Sequence, residues 1–359
     1  MTVSSSARSA NLQIIRGLAA LSVMLFHAAL FTSQKTNTPL LADVFSGRFG
    51  YYGVMTFFVL SGFVMEGAVR KYGALQFLAH RFVRLFPSYW GIFLFIQLAQ
   101  LVRLGHWEPI PWAALSLLPT GTLYRPLHVE WTLIYEVFFY LVCAMICLRK
   151  NLHPLILSVW GLICCVVLLH FDSYGTQMQP TWSEIPFSGW NIAFIAGGLA
   201  GALNRKAVHL PGVWLLLGGI IALGLGELGG NPVRLIFTSV GLLMLLLAVV
   251  RTRDANLDGF LTRALHKLGE CSYGLYLIHS MTIQIALQYV PADRLSEPLS
   301  VFVGMAVIGL AAGLLAGSCD AWLYIRLKRA LDRTLQRYAT PLRHIGSRTA
   351  ALSDEQAPI

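Results

Sequence analysis

Charge is what this sequence has least of. Only 12% of its 359 residues are Asp, Glu, Lys or Arg, while 56% are hydrophobic. A soluble domain carries about 25% charged residues, so a water-soluble globule is excluded as the class of the whole chain. Acidic residues are the scarcer half, 17 against 27 basic, for a net charge of +10. The six cysteines (Cys143, Cys147, Cys164, Cys165, Cys271, Cys319) form no C-x-x-C pair and none sits at zinc-ligand spacing from a histidine. They read as small buried hydrophobes, and no metal is expected. No phosphate-binding P-loop and no usable internal repeat occurs.

What the sequence does have is long apolar runs, each a candidate for a membrane-crossing helix. Ten are expected, at about 12–32, 51–69, 86–104, 132–148, 155–171, 188–204, 212–228, 232–250, 271–290 and 299–325. The fold class is therefore all-α, a polytopic integral membrane protein with about ten transmembrane helices. Cytoplasmic loops carry an excess of Lys and Arg. With the N-terminus inside and the sides alternating, 21 of the 27 basic residues fall inside, leaving Lys35, Arg48, Arg103, Arg125, Arg234 and Arg294 outside. Both termini are expected in the cytoplasm. The net charge then needs no nucleic-acid partner to explain it. The first run carries a histidine and is followed by nine others, so it is expected to be an uncleaved helix rather than a signal peptide. Residues 1–330 are expected to form the membrane domain and 331–359 a cytoplasmic, basic-to-polar tail.

Ionisable groups within such runs are costly and mark candidate function. Arg16 and His27 lie eleven residues apart on the first run. At 100° per residue they share a helix face, separated by about 16 Å along the axis. Arg16 falls near the cytoplasmic surface and His27 in the outer half, as if lining a path. A snorkelling anchor explains Arg16 alone equally well. In QFLAHRFVRLFPSYW (76–90), His80, Arg81, Arg84 and Gln76 share one face, and Leu75, Leu78, Phe82 and Leu85 the other. This reads as an amphipathic cytoplasmic helix stopped by Pro87. Its two guanidinium forks suit either a phosphate-rich ligand or anionic lipid.

Glu136, in HVEWTLIYEVFFY (128–140), lies about one turn below the outer surface. An intramembrane carboxylate needs a partner; His27 at similar depth is the expected one, with a structural contact to an arginine or a tyrosine as the alternative. His279 falls mid-run in CSYGLYLIHSM (271–281), with Ser272, Tyr273 and Tyr276 on the preceding turns. Ser61 and Gly62, in FFVLSGFV, are expected to let helices approach closely. The outer loop 105–131 carries Trp107, Trp112, Tyr124, His128, Glu130 and Trp131. They suit an interfacial belt or stacking on sugar rings, and the sequence does not separate the two.

Taken in order, IIRGLAALSVMLFH, FFVLSGFV, RFVRLFP, EWTLIYE and SYGLYLIH resemble the acyltransferase-3 family of integral membrane acyltransferases. The opening LQIIRGLAAL is most similar to its exopolysaccharide O-acetyltransferase branch. The resemblance covers essentially the whole chain. It implies transfer of an acyl group, usually acetyl, from cytoplasmic acyl-CoA to a hydroxyl of a glycan or other small molecule, such as polysaccharide O-acetylation. The location it implies is a bacterial cytoplasmic (inner) membrane. It makes Arg16 and His27 essential, ties Arg81 and Arg84 to the acyl donor, and matches Glu136 to the family glutamate. No extracytoplasmic esterase-like domain is expected. On this reading His27, with Glu136 and Arg16, is catalytic. Arg81, Arg84 and Arg16 hold the donor, and Trp131, Tyr124, His128 and His279 meet the acceptor. No permanently bound cofactor is expected. The partners are acyl-CoA, the acceptor and membrane lipid, with self-association left open. The competing reading is a proton-coupled transporter or flippase using the same Arg, His and Glu residues.

Overall fold

The computed structural model describes residues 10–39, 43–45, 47–106, 109–110, 112–121, 127–171, 177–206, 210–252 and 255–354, with the backbone alone for residues 104 and 338–354. Among the described residues there are twelve α-helices and no strand, only an isolated bridge between Thr120 and Thr181. The helices are α1 (Ala10–Thr36), α2 (Gly47–Lys71), α3 (Ala74–Leu104), α4 (Trp112–Ser116), α5 (Glu130–Ile146), α6 (His153–His170), α7 (Trp190–Arg205), α8 (Gly212–Leu228), α9 (Asn231–Val250), α10 (Phe260–Glu270), α11 (Ser272–Leu287) and α12 (Pro298–Asp354).

Each of the ten apolar runs lies on one of these helices. Six stretches are long and apolar enough to cross a membrane, among them Glu130–His170, which holds two of the runs. Within it, Arg149 leaves helical geometry (φ −139°, ψ 56°) and separates α5 from α6. The runs on α7, α8 and α11 form helices of 16, 17 and 16 residues, below the roughly 20 that a full crossing needs. Residues 190–198 of α7 are all buried, so much of this short helix faces protein rather than lipid.

Two features differ from expectation. Pro87 does not stop a helix but sits inside α3. Its fixed φ is compatible with a helix, and surrounding protein can tolerate the lost hydrogen bond. The two faces are also not divided as expected. On the polar face His80 is 3% exposed while Gln76 is exposed, and on the apolar face Leu85 is buried while Leu75 and Phe82 are 83% and 45% exposed. In a membrane setting the apolar face turns to lipid and the polar face needs protein partners. In addition, α12 runs unbroken past residue 330, the expected edge of the membrane domain.

Glycines set the closest crossings. A Cβ on Gly62 would lie 1.9 Å from the Phe194 carbonyl oxygen, and one on Gly197 would lie 1.9 Å from that of Val59. The α2 and α7 backbones therefore touch, as small residues at membrane helix interfaces allow. Beside them Phe58, Phe194 and Phe139 stack in series, with centroids 4.3 and 4.7 Å apart.

Helix ends group as alternate crossings require. At one end Arg70 and Arg205 both donate to buried Glu66, at 2.5 and 3.0 Å, and Lys150 donates to the Arg70 carbonyl. At the opposite end of α2, Glu227 accepts from Tyr52 and pairs with Arg48.

Candidate active site

Three polar stripes face one another in the bundle. Thr132, Glu136 and Tyr140 recur every four residues on α5, so they share a face. On α11, Tyr273, Tyr276 and His279 recur every three. On α3, Arg84 and Ser88 share a face with His80. The Tyr276 hydroxyl and the Thr132 hydroxyl lie 2.7 Å apart, which locks α11 to α5. Tyr273 donates to the Leu85 carbonyl at 2.9 Å, which locks α11 to α3.

Arg84 is fully committed within the protein. Its Nη1 donates to both oxygens of Asp320 on α12, each at 3.0 Å, and the Ser88 hydroxyl donates to the same carboxylate at 2.6 Å. The guanidinium lies 4.7 Å from the Tyr273 ring and 5.1 Å from that of Tyr324. A second clamp joins the same helices, since the His80 ring faces Asp332 at 2.9 Å. Arg81 is different. It stacks on Phe77 and Tyr140, at 5.7 and 5.9 Å from the centroids. Its buried Nε has no hydrogen-bond partner among the described residues. The two arginines of the R-x-x-R pair thus have different surroundings.

Glu136 accepts from the Ser61 hydroxyl at 3.0 Å and from the Tyr140 hydroxyl. His27 lies against the Val23 carbonyl and His279. The expected Glu136–His27 pair shares no hydrogen bond. Each has another partner: Glu136 meets Ser61 of α2 and Tyr140 of its own helix, while His27 meets His279 of α11. His128 is exposed, in the left-handed region at φ 62°, within electrostatic reach of His27. Trp131 belongs to an aromatic cluster with Trp190, Phe58 and Tyr135. Arg16 is half-buried and engaged with other groups. Tyr124 lies outside the described residues.

A family model described as an acyltransferase domain matches residues 9–317. The chain belongs to the acyltransferase-3 family. It is 27% identical over 322 residues to the exopolysaccharide production protein ExoZ of Rhizobium meliloti (strain 1021), covering 80% of this chain and 92% of that protein. To the acyltransferase MdmB of Streptomyces mycarofaciens it is 26% identical over 314 residues, covering 77% and 79%. No solved structure matches. The chain is accordingly an all-α membrane O-acyltransferase.

For this acyltransferase the sequence reading missed Asp320 and Ser88, while it named Ser61 and weighed a tyrosine contact for Glu136. Asp320 was open to detection, being the one carboxylate in the apolar run 299–325. The Ser88 hydroxyl carried no such signal.

Proposed function

We propose that this acyltransferase moves an acyl group, acetyl in the simplest case, from cytoplasmic acyl-CoA to a hydroxyl of a glycan, as in O-acetylation of an exported polysaccharide. The observation that carries the reading is the half-buried Arg81, whose buried Nε has no hydrogen-bond partner among the described residues, in a bundle that also holds a histidine pair, His27 and His279. A guanidinium with free donors suits a phosphate. An imidazole in an apolar surround suits proton transfer.

In the proposed reaction the donor approaches from the cytoplasm, its phosphates meeting Arg81 and, nearer the surface, Arg16. The acceptor approaches from the outer side, near His128. His27 takes the proton as the acceptor oxygen attacks the thioester carbonyl. The carbon–sulfur bond breaks, His27 returns the proton to the departing thiolate, and the products are the O-acyl ester and free CoA thiol. Arg84 holds α3 to α12 through Asp320 and so keeps Arg81 in place. A relative whose name records exopolysaccharide production supports the choice of acceptor. The placement of both termini in the cytoplasm and the ten crossings belong to the same proposal. They are supported by the gathering of Arg70, Lys150 and Arg205 at one end of the bundle.

The test uses purified protein in lipid nanodiscs with radiolabelled acetyl-CoA and a de-acetylated bacterial exopolysaccharide. Label entering the polysaccharide as an alkali-labile ester, with matching thiol release, is the expected result. Transport of the glycan without thiol release would overturn the proposal in favour of a flippase.

A further inference from the structure

His27 Nδ1 lies 3.0 Å from the Val23 carbonyl oxygen and 3.1 Å from His279 Nε2. His279 is fully buried on α11, and its own Nδ1 lies 2.9 Å from the Leu275 carbonyl oxygen. A carbonyl oxygen only accepts, so each Nδ1 facing one must carry its hydrogen. Both rings are then in the Nδ1–H form when neutral. His279 Nε2 holds a lone pair, and the hydrogen on His27 Nδ1 is shared between that lone pair and the Val23 carbonyl. His27 Nε2 is left bare, with no hydrogen-bond partner among the described residues. In the opposite tautomers a lone pair on each ring would point at a carbonyl oxygen.

We infer that His279 is a positioning residue for His27: it accepts the Nδ1 hydrogen, fixes the ring tautomer, and thereby presents Nε2 as the base that takes the acceptor's proton. This rests on the proposed function, in which His27 is that base. A carboxylate usually fills such a position beside a catalytic histidine. Here a neutral imidazole fills it, in a site where Glu136 is held by Ser61 and Tyr140. When Nε2 takes up the acceptor proton, the Nδ1–H···Nε2 contact becomes charge-assisted and strengthens. The proton stays on His27 until the thiolate collects it. His279 changes neither protonation nor bonding, so the step balances with no further reagent. The remaining neighbours of His27 are the rings of Phe26 and Phe31, the Val23 carbonyl and, further off, His128. His279 is thus the side chain that accepts from it.

The test compares His279→Met with His279→Gln in purified protein, reading kcat and KM for acetyl-CoA and for the polysaccharide. Methionine approximates the size without a strong acceptor, whereas the glutamine amide oxygen reaches the position of Nε2. The expected result is a loss of kcat by His279→Met of about 10- to 100-fold, the range in which partners of a working histidine act. Both KM values should stay within about twofold, and His279→Gln should recover most of the loss. Equal loss in the two variants, or none, overturns the inference. A wild-type measurement guards against variants that fail to fold. With ¹⁵N-labelled histidine, solid-state NMR should show His27 and His279 as Nδ1–H tautomers, assigned by difference from His27→Ala. An Nε2–H signal for His27 overturns the inference as well. His27→Ala with normal turnover refutes instead the underlying reading that His27 is the base.

Discussion

The R-x-x-R pair yields the sharpest prediction, because its two arginines should fail in different ways when removed. Arg84→Ala leaves Asp320 without its cation, and the Asp320 side chain is only 1% exposed. Removing one partner of a buried ion pair costs about 3–5 kcal/mol, chiefly because the other charge stays buried. Against a typical total of about 5–15 kcal/mol, that is a large share of the stability. Arg84→Ala should therefore lower the melting temperature by many degrees and reduce the yield of monodisperse protein. Replacing both partners, Arg84→Met with Asp320→Leu, should recover most of that stability. Arg81→Ala abolishes no ion pair among the described residues, so it should melt close to wild type. What it should lose is donor affinity. A hydrogen bond to a charged group contributes about 1.5–3 kcal/mol, and each 1.4 kcal/mol is about tenfold. KM for acetyl-CoA should accordingly rise about 10- to 100-fold, with kcat less affected. Arg81→Lys should recover only part of this, since an ammonium lacks the planar fork. The assays are a size-exclusion thermal melt in one detergent and initial-rate kinetics on the soluble fraction. If Arg84→Ala melts with the wild type and raises the donor KM as much as Arg81→Ala does, the assignment of an anchor and a ligand is wrong.

Three further outcomes follow. His27→Ala should lower kcat by at least about 100-fold, the lower bound for a general base, with acetyl-CoA still protecting the protein in a thermal melt; retained turnover would remove His27 from the chemistry. Gly197→Ala should abolish the folded, monodisperse species, because its Cβ would fall 1.9 Å from the Val59 carbonyl oxygen, whereas Gly67→Ala, with open space at its Cβ, should not. Single cysteines at Asn37 and Gln177 should react with an impermeant maleimide from outside intact cells and one at Asn256 only after lysis, in a background with exposed Cys319 replaced; reversal at any site would redraw the topology.

The helices were legible because lipid imposes a requirement that can be read residue by residue. Each crossing needs an apolar run of roughly fixed length, and all ten runs are helical. Position along each helix was legible too, at 1.5 Å per residue. Lateral order was not. Glu136 and His27 were expected at one depth, yet Glu136 meets Ser61 of α2 and Tyr140 while His27 meets His279 of α11, and nothing in either run specifies which helix lies beside which. The same limit explains the burial of His80 on α3. Its sequence shows two faces clearly, but whether the polar one meets water or protein depends on α12 supplying Asp320 and Asp332 from more than 230 residues away. That Ser61 and Gly62 mark a close approach was readable from residue size alone, and Gly62 does meet the α7 backbone.

Among the described residues several charges inside the bundle are paired, and the proposed donor site lies beside them. Glu66 takes Arg70 and Arg205, Asp320 takes Arg84, and Asp332 takes His80 and Lys328. Arg81 and Glu136 stand apart from these pairs, and they do not pair with each other. Tyr140 stands between them, its hydroxyl donating to Glu136 and its ring meeting the Arg81 guanidinium. A direct Arg81–Glu136 ion pair would neutralise the cation that the proposed function assigns to the donor phosphates. The hydroxyl of Tyr140, with that of Ser61, occupies the carboxylate instead. Tyr140→Phe keeps the ring and removes that hydroxyl, which leaves Glu136 with one donor and frees it to turn to Arg81. Donor binding would then have to break an ion pair, so KM for acetyl-CoA should rise about tenfold while kcat holds, about 1.4 kcal/mol. Adding Glu136→Gln should restore the donor KM, because a neutral amide competes weakly for a guanidinium. An unchanged KM in Tyr140→Phe, or a double variant worse than the single, would show that Glu136 does not compete with the donor for Arg81.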